Sequence, residues 1–380
     1  MKGKLFGLLS AACLAVAAVA PALQASERYF GYYADGATSG THDHTNVTHI
    51  WASLADRNQA TNTILHHLDA ARANGIRAVV SVDSFLFRFA NGGNGNYTAE
   101  PNAAQLWNGL MQTLVAHGHI VPGNPAAGTV LAFYPVDEPE LHGLNDSFGS
   151  PHPALAAAIQ VIRNHPHSAN IPIAGISSKK YNRVRAGLHL MDWVGLDNYS
   201  LNTWQYLDAF NAFKAAMRPG QRFILVPQAS QGGMMGSYGY PHDPLIVFER
   251  FLEDSSVVML MPFLWDHPDT QGVRVLPLLR ETYWQIGRHV ASGAPLPLRA
   301  TPMCTLILQN FFCEISIDRG TAPYSVLWEF PNGNRHGSNF SHQLACGVQH
   351  QVWVTTVDAV GYMRTVALDL YCPPGGGGLL

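Results

Sequence analysis

The chain has 380 residues, with 23 Lys and Arg against 26 Asp and Glu, and only 13% of its residues are charged. So sparse and balanced a charge excludes the basic surface that nucleic acid requires. Beyond residue 25 no stretch is long and apolar enough to span a bilayer, which excludes membrane insertion.

Residues 1–25 place two lysines before an apolar stretch that ends in small residues. This is the layout of a signal peptide, cut after Ala22 or Ala25. A lipoprotein signal is disfavoured, because Ser10 stands three residues before Cys13 and the apolar run continues past it. The expected mature protein is soluble, monomeric, and secreted or periplasmic.

Eight short β-rich runs follow, at 28–35, 47–54, 76–83, 129–137, 171–177, 191–199, 222–230 and 257–265. Helical stretches alternate with them. In NTILHHLDAARANG the apolar positions recur at three and four before Gly75, and PALAAAIQVIRNH places Pro153 in a first helical turn. Alternation of this kind implies parallel strands with right-handed crossovers. Eight repeats predict an α/β fold, a (β/α)8 TIM barrel over 26–290. The alternative, a doubly wound sheet, lacks a glycine-rich phosphate loop after its first strand.

A barrel builds its site at the carboxyl ends of its strands. The polar residues closing the runs are Asp35, Asp83, Asp137 with Glu138, Asp197 with Tyr199, Gln228, and Trp265 with Asp266. The fourth run, LAFYPVDEPE, is unusual in ending on three acids, Asp137, Glu138 and Glu140. Crowded carboxylates raise one another's pKa, which would keep Glu138 protonated as a general acid.

FYPVDEPE resembles the strand-four motif of the retaining (β/α)8 glycoside hydrolases, in which Asn-Glu-Pro carries the acid/base Glu. Glu138 and Pro139 match, and Asp137 replaces the Asn. The resemblance implies a glycoside hydrolase acting on a polysaccharide or glycoconjugate, with Glu138 as acid/base. Such enzymes need a second carboxylate. The family places it on strand seven, where this chain has Gln228 in ILVPQAS. Three explanations stay open. The partner comes from another strand end, with Asp197 and Asp35 the candidates; or the enzyme inverts through a more distant base; or the barrel binds carbohydrate without cutting it, having lost its nucleophile. A hydrolase or lyase of other chemistry is a third functional class.

Asp137 and Asp197 complete the expected catalytic set. Asp35, Tyr199, Gln228, Trp265 and Asp266 form the expected substrate-binding set, with Tyr199 orienting a carboxylate and Trp265 stacking on a sugar ring. The glycine-rich loop 228–244 is expected to wall the cleft. The histidines of HDH, 42–44, lack a metal-binding helical spacing, so neither metal nor cofactor is expected.

The Pro-, Ala- and Gly-rich stretch 291–302 reads as a linker. Residues 303–373 alternate like strands, with turn signals at Gly320 and Asn332-Gly333. GTAPYSVLW and VWVTTVDAVG resemble an immunoglobulin- or PKD-like module, a small all-β sandwich with Trp328 in its core. Residues 374–380 form a flexible tail. Four cysteines lie in this part and none in the barrel, so two disulfides are expected within the module. Of three possible pairings, Cys313–Cys346 across facing strands and Cys304–Cys372 closing the module are the expected ones.

Overall fold

A computed structural model describes residues 28–52, 57–90, 95–232, 241–307 and 309–374, with the Asn58 side chain excepted. The expected signal peptide, residues 233–240 of the glycine-rich loop and nearly all of the expected tail lie outside the described residues.

Eight strands occupy the eight expected runs: β1 (Tyr29–Phe30), β2 (Val47–Ile50), β3 (Arg77–Ser81), β4 (Val130–Tyr134), β5 (Ala174–Ser177), β6 (Trp193–Asp197), β7 (Arg222–Val226) and β8 (Val257–Leu260). Six long helices lie among and after them: α1 (Arg57–Ala73), α2 (Ala103–Ala116), α3 (Pro153–Asn164), α4 (Thr203–Ala216), α5 (Pro244–Glu253) and α6 (Pro277–Ser292). The strand–helix alternation is broken between β1 and β2, where residues 31–46 form turns and no helix, and is reduced to a four-residue helix, Arg185–Leu188, between β5 and β6. Asp35 organises that loop by accepting hydrogen bonds from Ser39, Thr41 and Thr48.

All strand pairs here are parallel and fall into two sheets, β1–β8–β7–β6–β5 and β2–β3–β4. The sheets meet at both edges. Phe133 of β4 makes a parallel bridge to Ile173, the residue before β5. At the other edge Asn46 N–H donates to Phe30 O (3.1 Å), while the Asn46 side chain accepts from Phe30 N–H (2.8 Å) and donates to Arg28 O (2.9 Å). Gly31 permits this edge to close, since a Cβ there would sit 2.0 Å from Val47 O.

Successive strand residues face opposite sides, and here both sides are buried. Phe30, Ile50, Val80, Phe133, Leu196, Leu225 and Leu260 pack outward with Ile64, Trp107, Ile159, Phe210, Phe248 and Ile286 of the helices. Tyr29, Val47, Val79, Leu131, Ala174, Trp193, Ile224 and Met259, one from each strand, share a second cluster. Strands buried on both faces need near-continuous apolar runs, which is why charges appear only at their ends.

Helix α6 runs to Ser292 and the next strand begins at Arg299. Seven antiparallel strands follow: β9 (Arg299–Ile307), β10 (Asn310–Arg319), β11 (Ser325–Phe330), β12 (Gly333–His336), β13 (Asn339–Gln343), β14 (Gln349–Val357) and β15 (Met363–Tyr371). They form two sheets, β9–β10–β13 and β12–β11–β14–β15. Trp328 is fully buried in their common core, its Nε1 donating to Gly337 O.

The expected disulfide pairing is incorrect. The bonds are Cys304–Cys313 and Cys346–Cys372, with Cα separations of 4.0 and 4.5 Å. Cys304 and Cys313 are direct register partners across β9 and β10. Cys346 and Cys372 flank β14 and β15, where Gly347 N–H donates to Cys372 O. Both bonds therefore join neighbours along the chain path, and neither crosses between facing strands.

Chain-closure entropy grows with the residues enclosed. The sequence separations are 9 and 26, so removing Cys304–Cys313 by double serine substitution should cost about 2.5 kcal/mol and removing Cys346–Cys372 about 3.5 kcal/mol. Denaturant unfolding followed by Trp328 fluorescence measures both. Equal losses, or a larger loss for the shorter loop, would contradict this entropic ordering.

Candidate active site

The tip of β4 separates its three acids. Asp137 turns back into the strand ends, where the Tyr134 hydroxyl donates to it (2.5 Å). Burial pushes its carboxyl up, opposed by the Tyr134 and Tyr33 hydroxyls. Glu140 is an anchor. Its Oε1 accepts from Ser177 Oγ (2.8 Å), Ser178 N–H (2.6 Å) and Ser178 Oγ (2.6 Å), tying the tip of β4 to the end of β5.

Between them, Glu138 adopts φ +38°, a left-handed conformation that costs a non-glycine residue about 1–3 kcal/mol. Several contacts enforce it. Glu138 N–H donates to Ile176 O (3.1 Å), Leu141 N–H donates to Glu138 O (2.8 Å), and Pro139 opens a 3-10 turn. The bend directs the Glu138 side chain into a cleft of about 190 Å³, lined also by Ser178, Lys180, Asp197, Asn198 and Tyr199.

Asp197 ends β6 and lines the same cleft as Glu138, close enough for the Glu138 charge to raise its pKa. Two carboxyl groups so placed resist joint ionisation. Burial, then the Asp137 and Glu140 charges, pushes Glu138 up to about 7. Asp197 is raised well above the carboxylate range by burial and by Glu138. The Tyr199 hydroxyl donates to Asp197 Oδ2 (3.2 Å), favouring charge on that partner, and its ring stacks on Phe263. Asp83, at the end of β3, is also driven up to about 7 by burial, with a further contribution from Asp137.

Of the residues expected at the site, Glu138, Asp197 and Tyr199 line one cleft, with Asp137 beside them. The others lie elsewhere. Asp35 is engaged by its own loop and pushed up to about 7 by burial. Gln228 is fully buried, its amide donating to Ser230 O (2.9 Å). Trp265 packs against Tyr32 and His44 beside a separate pocket. Asp266 pairs with Arg274 at 2.9 Å. Of HDH, His44 is held by Asp43 and Tyr32. Ser178, Lys180 and Asn198 were not singled out from sequence; their one signal is that they follow the ends of β5 and β6.

No protein-family model matches the chain, and a comparison with curated proteins gives no match. Among solved structures, it is similar to an FMN-binding beta-glucuronidase from Facaelibacterium prausnitzii L2-6, at TM-score 0.48 and 9% identity over 92% of this chain and 57% of that one. It is similar to a GH113 beta-1,4-mannanase at TM-score 0.41 and 11% identity, over 69% and 99%. A PKD1 domain from the Vibrio cholerae metalloprotease PrtV matches 20% of this chain and 99% of that one, at TM-score 0.19 and 14% identity. Likenesses this loose carry no function over to this chain.

A carboxyl whose folded pKa lies above its unfolded value destabilises the fold as pH rises between the two, because the folded state then holds the extra proton. For Glu138 that window runs from its ordinary value of 4.5 to about 7. Glu138→Gln should therefore match wild-type stability at low pH and exceed it by about 1–3 kcal/mol above neutrality. Thermal melts between acid and neutral pH test this; a difference that stays constant with pH would contradict the raised Glu138 pKa.

Proposed function

We propose that the chain is an exported glycoside hydrolase, built on a closed (β/α)8 barrel over 26–290 and carrying an immunoglobulin- or PKD-like module over 303–373. The carrying observation is that Glu138 and Asp197, two buried carboxyls at the strand ends, line one polar cleft. The barrel reading is supported by two sheets that touch at both edges and by an inner cluster with a residue from every strand. Export is supported by four cysteines paired in two disulfides, which persist in oxidising compartments.

In this reading substrate binding moves the proton of the pair onto Glu138, and the Tyr199 hydroxyl stabilises the charge left on Asp197. A sugar entering between them receives the Glu138 proton on its glycosidic oxygen while an Asp197 oxygen bonds to the anomeric carbon. The leaving group departs as an alcohol. Glu138, now ionised, takes a proton from water; that water attacks the anomeric carbon and frees Asp197. Retaining pairs stand about 5–5.5 Å apart, closer than the carboxyls of inverting enzymes, which hold a water between base and sugar. The Glu138 charge raises the Asp197 pKa, as a closely spaced pair requires. The retaining course is favoured, with Asp197 in the role that the strand-seven residue has in the enzymes this motif resembles.

One observation favours a second reading, a carbohydrate-binding barrel without turnover: the β7 end offers a sealed amide, Gln228, in place of a carboxylate.

Glu138→Gln should lower kcat by about 10²–10⁴ while leaving sugar binding intact. Asp197→Ala should be equally impaired on an aryl glycoside, and azide should restore turnover by replacing the lost nucleophile. Near wild-type activity in either variant would overturn the assignment. No release of reducing ends by wild-type protein from a polysaccharide panel would favour the second reading.

Gln228→Glu would bury an unpaired carboxylate, so it should destabilise the fold by about 1–3 kcal/mol and add no turnover. A sharp gain in aryl-glycosidase activity would instead make Gln228 the mark of a lost nucleophile.

A further inference from the structure

The opposite ends of the strands carry a cluster that the cleft does not use. Asp69 lies in the last turns of α1, which leads into β3, while His117 and His119 follow α2 on the way to β4. One ligand atom from each lies within 4.8 Å of the other two. His119 is completely buried, and its Nε2 makes no hydrogen bond. That atom stands 3.3 Å from Asp69 Oδ1 without hydrogen-bond alignment. The other ring nitrogen, Nδ1, is held by the Thr129 hydroxyl at 3.3 Å.

We propose that Asp69, His117 and His119 form a binding site for a zinc-class divalent cation on the face opposite the cleft. A buried imidazole nitrogen left without a hydrogen bond is costly unless something binds it. A histidine ligand is characteristically fixed by a hydrogen bond from its second nitrogen, which is the relation of His119 to Thr129. Two imidazoles and one carboxylate suit zinc, with water completing a tetrahedron. The backbone reinforces the position, because Thr129 N–H (2.9 Å) and Val130 N–H (3.2 Å) both donate to His119 O.

Arg72 is the competing cation. Its Nη2 pairs with Asp69 Oδ1 at 2.7 Å and its Nη1 donates to His117 O at 2.6 Å. This side chain is half exposed and can swing away. Metal and Arg72 therefore exclude each other at Asp69, which gives the site a variant of opposite sign.

Titration of the full chain with zinc chloride by calorimetry, and with cobalt(II) by visible absorption, tests the proposal. One equivalent should bind, with the intense visible band of tetrahedral cobalt. His117→Ala and Asp69→Asn, both at exposed positions, should each weaken binding by about tenfold or more, while Arg72→Ala should tighten it. The bound ion should raise the melting temperature of wild-type protein. Absence of stoichiometric binding, or binding unchanged in both His117→Ala and Asp69→Asn, would overturn the site. Arg72→Ala with weaker binding would overturn the competition.

Discussion

Negative charge cannot be concentrated in a low-dielectric mouth without protons or donors to hold it, and this limit governs the structure around β4. Asp137, Glu138 and Asp197 converge there, and burial raises all three. The chain meets the limit differently for each. Asp137 receives the Tyr134 hydroxyl and Asp197 receives that of Tyr199, while Glu138 is raised to about 7 by burial and by the Asp137 and Glu140 charges. Glu140 places one oxygen on Ser177 and Ser178. A carboxyl raised that far still holds its proton near neutral pH.

That arrangement depends on backbone geometry set elsewhere. Glu138 reaches the cleft only because its peptide bends into a left-handed conformation, and the bend persists because β5 holds it through Ile176 O. β5 is in turn registered with β6, so the tips carrying Glu138 and Asp197 are fixed relative to one another. The apolar strands make this precise placement possible: buried on both faces, they have little freedom to slide.

The sequence displayed the strands because a two-faced buried strand has to be apolar throughout and can turn polar only at its ends. It displayed Glu138 and Asp197 for the same reason. What it could not display was direction. Gln228 and Trp265 close their runs as Asp197 does, yet one amide turns to Ser230 and the indole turns to Tyr32 and His44. The disulfide pairing was hidden because it follows strand register, and Cys304 opposes Cys313 only once β9 and β10 are aligned. The Asp69, His117 and His119 cluster was hidden because one member is supplied by a different helix. The loop at 31–46 replaced an expected helix, where Asp35 gathers three hydroxyls in place of helical hydrogen bonds.

The C-terminal strands do more than hang from a linker. Gln285 of α6 is buried; its carbonyl accepts from Leu298 N–H (3.0 Å) and its amide donates to Met363 O (2.8 Å), so one side chain pins both β15 and the approach to β9. Arg364 donates to Thr282 on α6 and stands 3.9 Å from Asp243, whose side chain caps α5. Burial lowers the Arg364 pKa and Asp243 opposes that shift, so the charge is held inside the contact by its partner. Glu249 of α5 meets both Arg299 and Arg319. The helices after β7 and β8 thus have their outer polar groups matched to this module. A buried glutamine and a buried arginine left without those partners would each carry an uncompensated desolvation cost. The two helices α5 and α6 are therefore built to be covered, and the C-terminal strands stabilise them.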